Sequence, residues 1–254
     1  MDLSDFYPTP EDLIKSEITV LGHLRASTYI KERHPQVAQA AEQWYYQNKA
    51  SRSGFEFNTH LDLWHQPMHR KMGAFGGFGR LRPNARLTIS ALIRLNGRRF
   101  TNVSYCLSVC KLKSLLPAAR ANVLRKFHFD VTAVDEATPH RRQPHPRCHL
   151  QYCGEMLRYM TDVGCTQAQL DQMHPWLSEP RIFFWPMSLA LLIDMALHEF
   201  PDQDSAKFRE ENCWRGLVRG QEALILRPFY EKCVEIIRNT SGKNQTLAEA
   251  FYVS

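Results

Sequence analysis

Residues 86–110 constrain the fold more tightly than any other stretch. Leu87, Ile89, Ala91, Ile93 and Leu95 alternate with Arg86, Thr88, Ser90 and Arg94. After Asn96-Gly97, Val103, Tyr105, Leu107 and Val109 alternate with Asn102, Ser104, Cys106, Ser108 and Cys110. Successive side chains of a strand point to opposite faces, so each run is apolar on one face and polar on the other. Asn-Gly between two such runs marks a two-residue hairpin. Residues 123–133 and 147–153 read as two further strands, with a short helical link over 115–122. The expected centre is an antiparallel meander of about four strands with one apolar face.

Such a face needs a cover, and helices on both sides of the sheet segment supply it. Thr9-Pro10-Glu11 is a helix start, with a capping side chain, a proline suited to the first position and acidic residues in the first turn. Leu13, Ile14, Ile18, Leu21 and Leu24 carry that helix to about Glu32, where His34-Pro35 breaks it. A second helix is expected over 35–49, followed by a mixed segment over 55–71. On the C-terminal side, residues 186–200 are apolar almost all round, as in a buried helix. Asp202 or Asp204 caps the next helix, which runs to about Leu217, and a last one spans 222–239. The tail Phe251-Tyr252-Val253 is expected to dock on the body or on a partner. The fold class is therefore α+β: a helical region over 1–72, a basic sheet over 73–155 and a helical cover over 156–254, within one compact domain.

Charge is distributed unevenly. Sixteen of the 32 Lys+Arg, but only three of the 26 Asp+Glu, lie between Arg70 and Arg147. No carboxylate occurs between Leu63 and Phe129. A cationic middle suggests a polyanionic partner, with nucleic acid or a nucleotide foremost. The alternative is internal neutralisation by the acidic flanks. No apolar run reaches the ~18 residues that span a membrane, and the N-terminus lacks the pattern of a signal peptide. A cytoplasmic protein with no membrane partner is expected. Seven cysteines suit reduced thiols better than a disulfide framework.

Chemistry concentrates in residues 126–153. His128 and Asp130 share one strand face, and His149 and Gln151 share a face of the next strand. If the apolar faces align, these four meet on one polar surface. Two histidines can cleave a phosphodiester, one as base and one as acid, with a carboxylate orienting an imidazole. His128, Asp130 and His149 are the candidate catalytic residues, with His145 a substitute and His140 another. Arg94, Arg141, Arg142, Gln151 and Arg181 are candidates for holding substrate. This chemistry requires no cofactor. The alternatives are a divalent metal at His128, Asp130, His145 and His149, with Cys148 or Cys153 joining a zinc site, or polar side chains that only hydrogen-bond one another. His65 and His69 have metal-ligand spacing, but Pro67 argues against the helix it requires. Residues 73–79, GAFGGFG, read either as an arm stacking on bases or as a connector.

A strand ending in Phe129-Asp130, then a loop, then His145-Pro146-Arg147-Cys148-His149-Leu150 resembles small bacterial toxin–antitoxin proteins of the TumE-like kind. Gln151 stands where a histidine would complete a His-x-His pair. The resemblance implies a bacterial toxin or antiviral defence component acting on nucleic acid, with a protein partner encoded nearby. The leading expectation is a nucleic-acid-directed protein of a bacterial defence or toxin system, with RNA cleavage as the chemistry its histidines could supply. A non-catalytic subunit that binds nucleic acid or a protein through the basic sheet is one alternative, and a nucleotide sensor is another.

Overall fold

The computed structural model describes residues 5–51, 53–62, 85–112, 121–131, 145–146, 148–152, 181–201, 204–239 and 252–253. The chain opens with α1 (Pro10–Ala26), α2 (Thr28–Arg33) and α3 (Pro35–Ala50). Thr9 caps α1 by accepting from the Asp12 N–H at 3.2 Å. The helix expected to reach Glu32 breaks at Ser27. That residue takes an extended conformation and accepts the Ile30 N–H, so it ends α1 and caps α2.

The sheet has six strands rather than about four. They are β1 (Gly54–Asp62), β2 (Ala85–Asn96), β3 (Arg99–Leu112), β4 (Ala121–Val131), β6 (Cys148–Tyr152) and β7 (Arg181–Phe183), all antiparallel, in the order β1-β2-β3-β4-β6-β7. The expected hairpin is present, but its two-residue turn is Gly97-Arg98 rather than Asn96-Gly97: Asn96 pairs with Arg99, and Gly97 has φ +62°. The mixed segment after residue 54 is instead an edge strand. Asn48 of α3 covers that edge, donating to the Glu56 carbonyl at 2.6 Å and accepting the Glu56 N–H at 2.8 Å. Gly54 lets β1 begin close to its neighbour: at φ +142°, a Cβ there would lie 2.0 Å from the Ile93 carbonyl oxygen.

One sheet face carries Phe55, Phe57, Leu87, Ile89, Val103, Tyr105, Phe129 and Val131, all buried under helices. The cover combines α1 with α4 (Leu189–Glu199), whose start is set by Ser188 accepting the Leu191 N–H. Asp194 is the polar exception in α4. It accepts from Arg209 at 2.9 and 2.7 Å and from Trp214 Nε1 at 2.9 Å. This ties α4 to α5 (Ser205–Glu210) and α6 (Asn212–Gln221), and makes Arg209 the ion-pair partner of Asp194.

Asp204 stands at the N-cap without the expected side-chain capping hydrogen bond, and the helix expected to run to Leu217 breaks at Glu211. From Asn212 the chain stays helical to Asn239, through a π turn over Glu222–Leu226 and then α7 (Arg227–Asn239). Pro228 accounts for the wide turn. It has no N–H to donate and its ring crowds the carbonyl four residues back. A separate ribbon pairs β5 (His145–Pro146) with β8 (Tyr252–Val253), so the tail docks on β5, which in turn contacts β7. No helix among the described residues is long and apolar enough to cross a membrane.

Candidate functional site

The polar face of the sheet follows from the same alternation that buries the other. Directly opposed residues form rows across the strands. One row runs Glu56, Leu92, Ser104, Asp130, His149. The next runs Asn58, Ser90, Cys106, His128, Gln151, and Arg181 stands opposite Gln151 in the register. A third places Ser108 opposite Lys126. Opposed residues share a face with Cβ atoms ~5 Å apart, so pairing alone brings the His-x-Asp and His-x-Gln couples together.

Within this patch Asp130 lies between the two imidazoles. Its Oδ2 is 3.7 Å from His149 Nε2 and 4.0 Å from His128 Nδ1. The three side chains differ in access: His149 is 5% exposed, Asp130 22% and His128 24%. His149 is therefore almost wholly covered, while His128 keeps part of its ring exposed although its Nε2 is itself shielded from solvent.

Cys106, opposite His128, is a buried thiol whose Sγ lies 3.4 Å from Ser108 Oγ. Burial pushes its pKa up, outweighing the hydrogen bonds of Ser108 and Ser90 and the charge of Lys126. It stays a thiol at neutral pH, a weak nucleophile. Sequence reasoning did not single out Lys126 as a site residue. The signal was available, since Lys126 is two residues before His128 and so shares its face.

The remaining candidates are spread more widely. Arg94 is exposed at the hairpin end of β2, opposite Asn102. It lies two strand spacings, ~10 Å, across and two residues, ~7 Å, along from Asp130. It flanks the imidazoles rather than touching them. His145 belongs to the ribbon with the tail, opposite Val253, and not to the main sheet. Arg141, Arg142 and His140 lie outside the described residues, as do His65, His69, the glycine-rich 73–79, residues 115–120 of the expected link, and Asp202.

For a metal, the described residues include no group of three or more His, Cys, Asp or Glu side chains arranged to hold one. Cys148 cannot join His149 as a ligand. It is one residue away, faces the opposite side of the strand and is buried in the core cluster. Cys153 lies outside the described residues.

The arrangement provides two imidazoles sharing one carboxylate, with Lys126 on the same face and arginines at its margins. Neither family models nor curated proteins nor solved structures match the chain.

Proposed function

We propose that this polar face is a nucleic-acid-directed site, and that His128, Asp130 and His149 cleave RNA by acid–base chemistry. The observation that carries this reading is the placement of the Asp130 carboxylate between two imidazoles on adjacent paired strands. One carboxylate compensates one imidazolium. An acid and a base acting in one step require one imidazole protonated and the other neutral, and a single carboxylate between two imidazoles suits that division.

In this scheme His128 takes the proton from a 2′-hydroxyl, which requires the groups that shield its Nε2 to part as the substrate binds. The oxygen attacks the adjacent phosphorus, the bond to the 5′-oxygen breaks, and the imidazolium of the pair returns a proton to the leaving oxygen. Lys126 and Arg94 attract the phosphate backbone, and Gln151 is a neutral hydrogen-bonding group in the His128 row. The cationic bias of residues 70–147 supports a polyanionic substrate. A bacterial toxin or defence role, with a protein partner encoded nearby, is the biological setting that the local sequence resemblance suggests.

The test is cleavage of a labelled pool of RNA, single-stranded DNA and duplex DNA, with and without EDTA. Wild type is compared with His128→Ala, His149→Ala and Asp130→Asn. RNA cleavage that survives EDTA and is lost in both alanine variants supports the scheme. Cleavage lost on chelation would assign the chemistry to a metal. Salt-sensitive binding without cleavage, unchanged in the histidine variants but weakened in Arg94→Ala, would make the sheet a binding surface. A rise in melting temperature with mononucleotides alone would make it a nucleotide sensor.

A further inference from the structure

The last helix carries two apolar stripes one residue apart. Phe229, Cys233 and Ile236 face the core. Tyr230, Val234 and Ile237 repeat the same i, i+4, i+7 spacing one position on, yet are 49%, 44% and 56% exposed. Only two other large apolar side chains among the described residues are exposed, Tyr46 and Trp185. Tyr46 is engaged by Arg25, which donates to its hydroxyl at 3.2 Å. Beside the α7 stripe lies an open groove of about 450 Å³, lined by Tyr230, Glu231, Val234, Glu235 and Arg238. Single exposed apolar residues are ordinary, whereas a row of them beside a groove is the form of an interface.

The flanking charges indicate what covers it. Glu231 and Arg238 both border the groove, seven residues or about 10 Å apart along the axis. Two copies of this helix laid antiparallel about a two-fold axis beside Val234 set Glu231 of each against Arg238 of the other. The same operation places Tyr230 of each on Ile237 of the other. A parallel pairing would instead oppose Glu231 to Glu231 and Arg238 to Arg238. We propose that α7 is the contact through which two copies of this chain pair, antiparallel and two-fold symmetric. The Glu231 carboxylate accepts from Arg227 of its own helix at 2.8 Å, but exposed pairs of this kind are weak and exchange readily. A helix of this length offers ~20 Å of contact. Its area falls at or below the low end for specific interfaces, so the dimer is weak and concentration-dependent.

The experiment is sedimentation equilibrium of the full chain from about 1 to 100 μM, a range chosen for an interface of this size. The expected result is a monomer–dimer equilibrium that Val234→Glu abolishes. Glu231→Arg and Arg238→Glu each weaken it about tenfold or more, and the double exchange restores it. All three positions are exposed, so circular dichroism matching wild type is expected for each of the four variants. A wild type that stays monomeric throughout overturns the proposal. So does a dimer that survives Val234→Glu, or a double exchange that fails to recover.

Discussion

Glu17 is the buried acid whose replacement tests the packing account most sharply. It sits on the inner side of α1, accepts the Tyr105 hydroxyl at 2.6 Å and receives the Leu189 N–H at 3.2 and 3.3 Å. One carboxylate thus joins α1, the strand β3 and the N-terminus of α4. Burial raises its pKa from 4.5 to about 7, against the two hydrogen bonds, which lower it. The folded state therefore holds the proton more tightly than the unfolded chain. Its contribution is fully present below about pH 4.5 and is lost as pH rises through about 7. At ~1.4 kcal/mol per pH unit, the change is about 3 kcal/mol. Glu17→Gln keeps the shape and can bond both partners, but it cannot ionise. Urea unfolding of both proteins from pH 4.5 to 8 should show the variant gaining about 3 kcal/mol on wild type across that interval. Parallel stability curves, or a variant that loses ground as pH rises, would refute the reasoning.

Asp194→Asn should destabilise by about 1–3 kcal/mol, because Arg209 and Trp214 lose a charged acceptor. Burial opposes ionisation of Asp194, but the Arg209 and Trp214 hydrogen bonds outweigh it and hold the carboxyl below 3.8. Its contribution is thus present above about pH 4 and lost as pH falls further, so the variant's deficit should shrink in acid, as read by thermal melts. Gly54→Ala should cost about 2 kcal/mol or more in chemical denaturation, since the residue has φ +142° and a Cβ would meet the Ile93 carbonyl at 2.0 Å. Asn48→Ala should unpair both backbone groups of Glu56, and faster amide exchange at Glu56 is the readout.

The parts of the fold legible in sequence were those where polarity and burial agree. The β2–β3 hairpin is such a case, with clean alternation on both sides of a turn that needs positive φ at Gly97. The edge strand β1 was missed because Thr59 interrupts the apolar alternation of Phe55, Phe57 and Leu61. Thr59 is buried all the same, with its hydroxyl toward the Gln36 carbonyl of α3 at 3.5 Å. Glu17 hid in the same way: it falls on the inner stripe with Leu13, Val20, Leu21 and Leu24, where a carboxylate contradicts the pattern. Only the Tyr105 hydroxyl and the free N–H at the start of α4 explain it, and both come from distant segments. The break at Ser27 reflects a side chain competing for backbone donors, which helical spacing does not register.

The candidate site divides along the same line. That His128 and Asp130 share a face, and His149 and Gln151 another, follows from period-two alternation alone. The register was not legible. A slip of two residues keeps every side chain on its face, yet would put Asp130 opposite Gln151 rather than His149. Sequence proximity does not register how His145 is paired. It is four residues from His149, but the chain leaves the main sheet there and pairs with the tail.

The most direct test of the acid–base reading is a double-mutant cycle on RNA cleavage in EDTA, with His128→Ala, His149→Ala and the two combined. If the imidazoles act as one unit around Asp130, each single variant loses most of the rate and the double loses little more. A matched 2′-deoxy strand should resist wild type altogether. A single variant that cleaves RNA at the wild-type rate, or equal cleavage of the 2′-deoxy strand, would contradict the account.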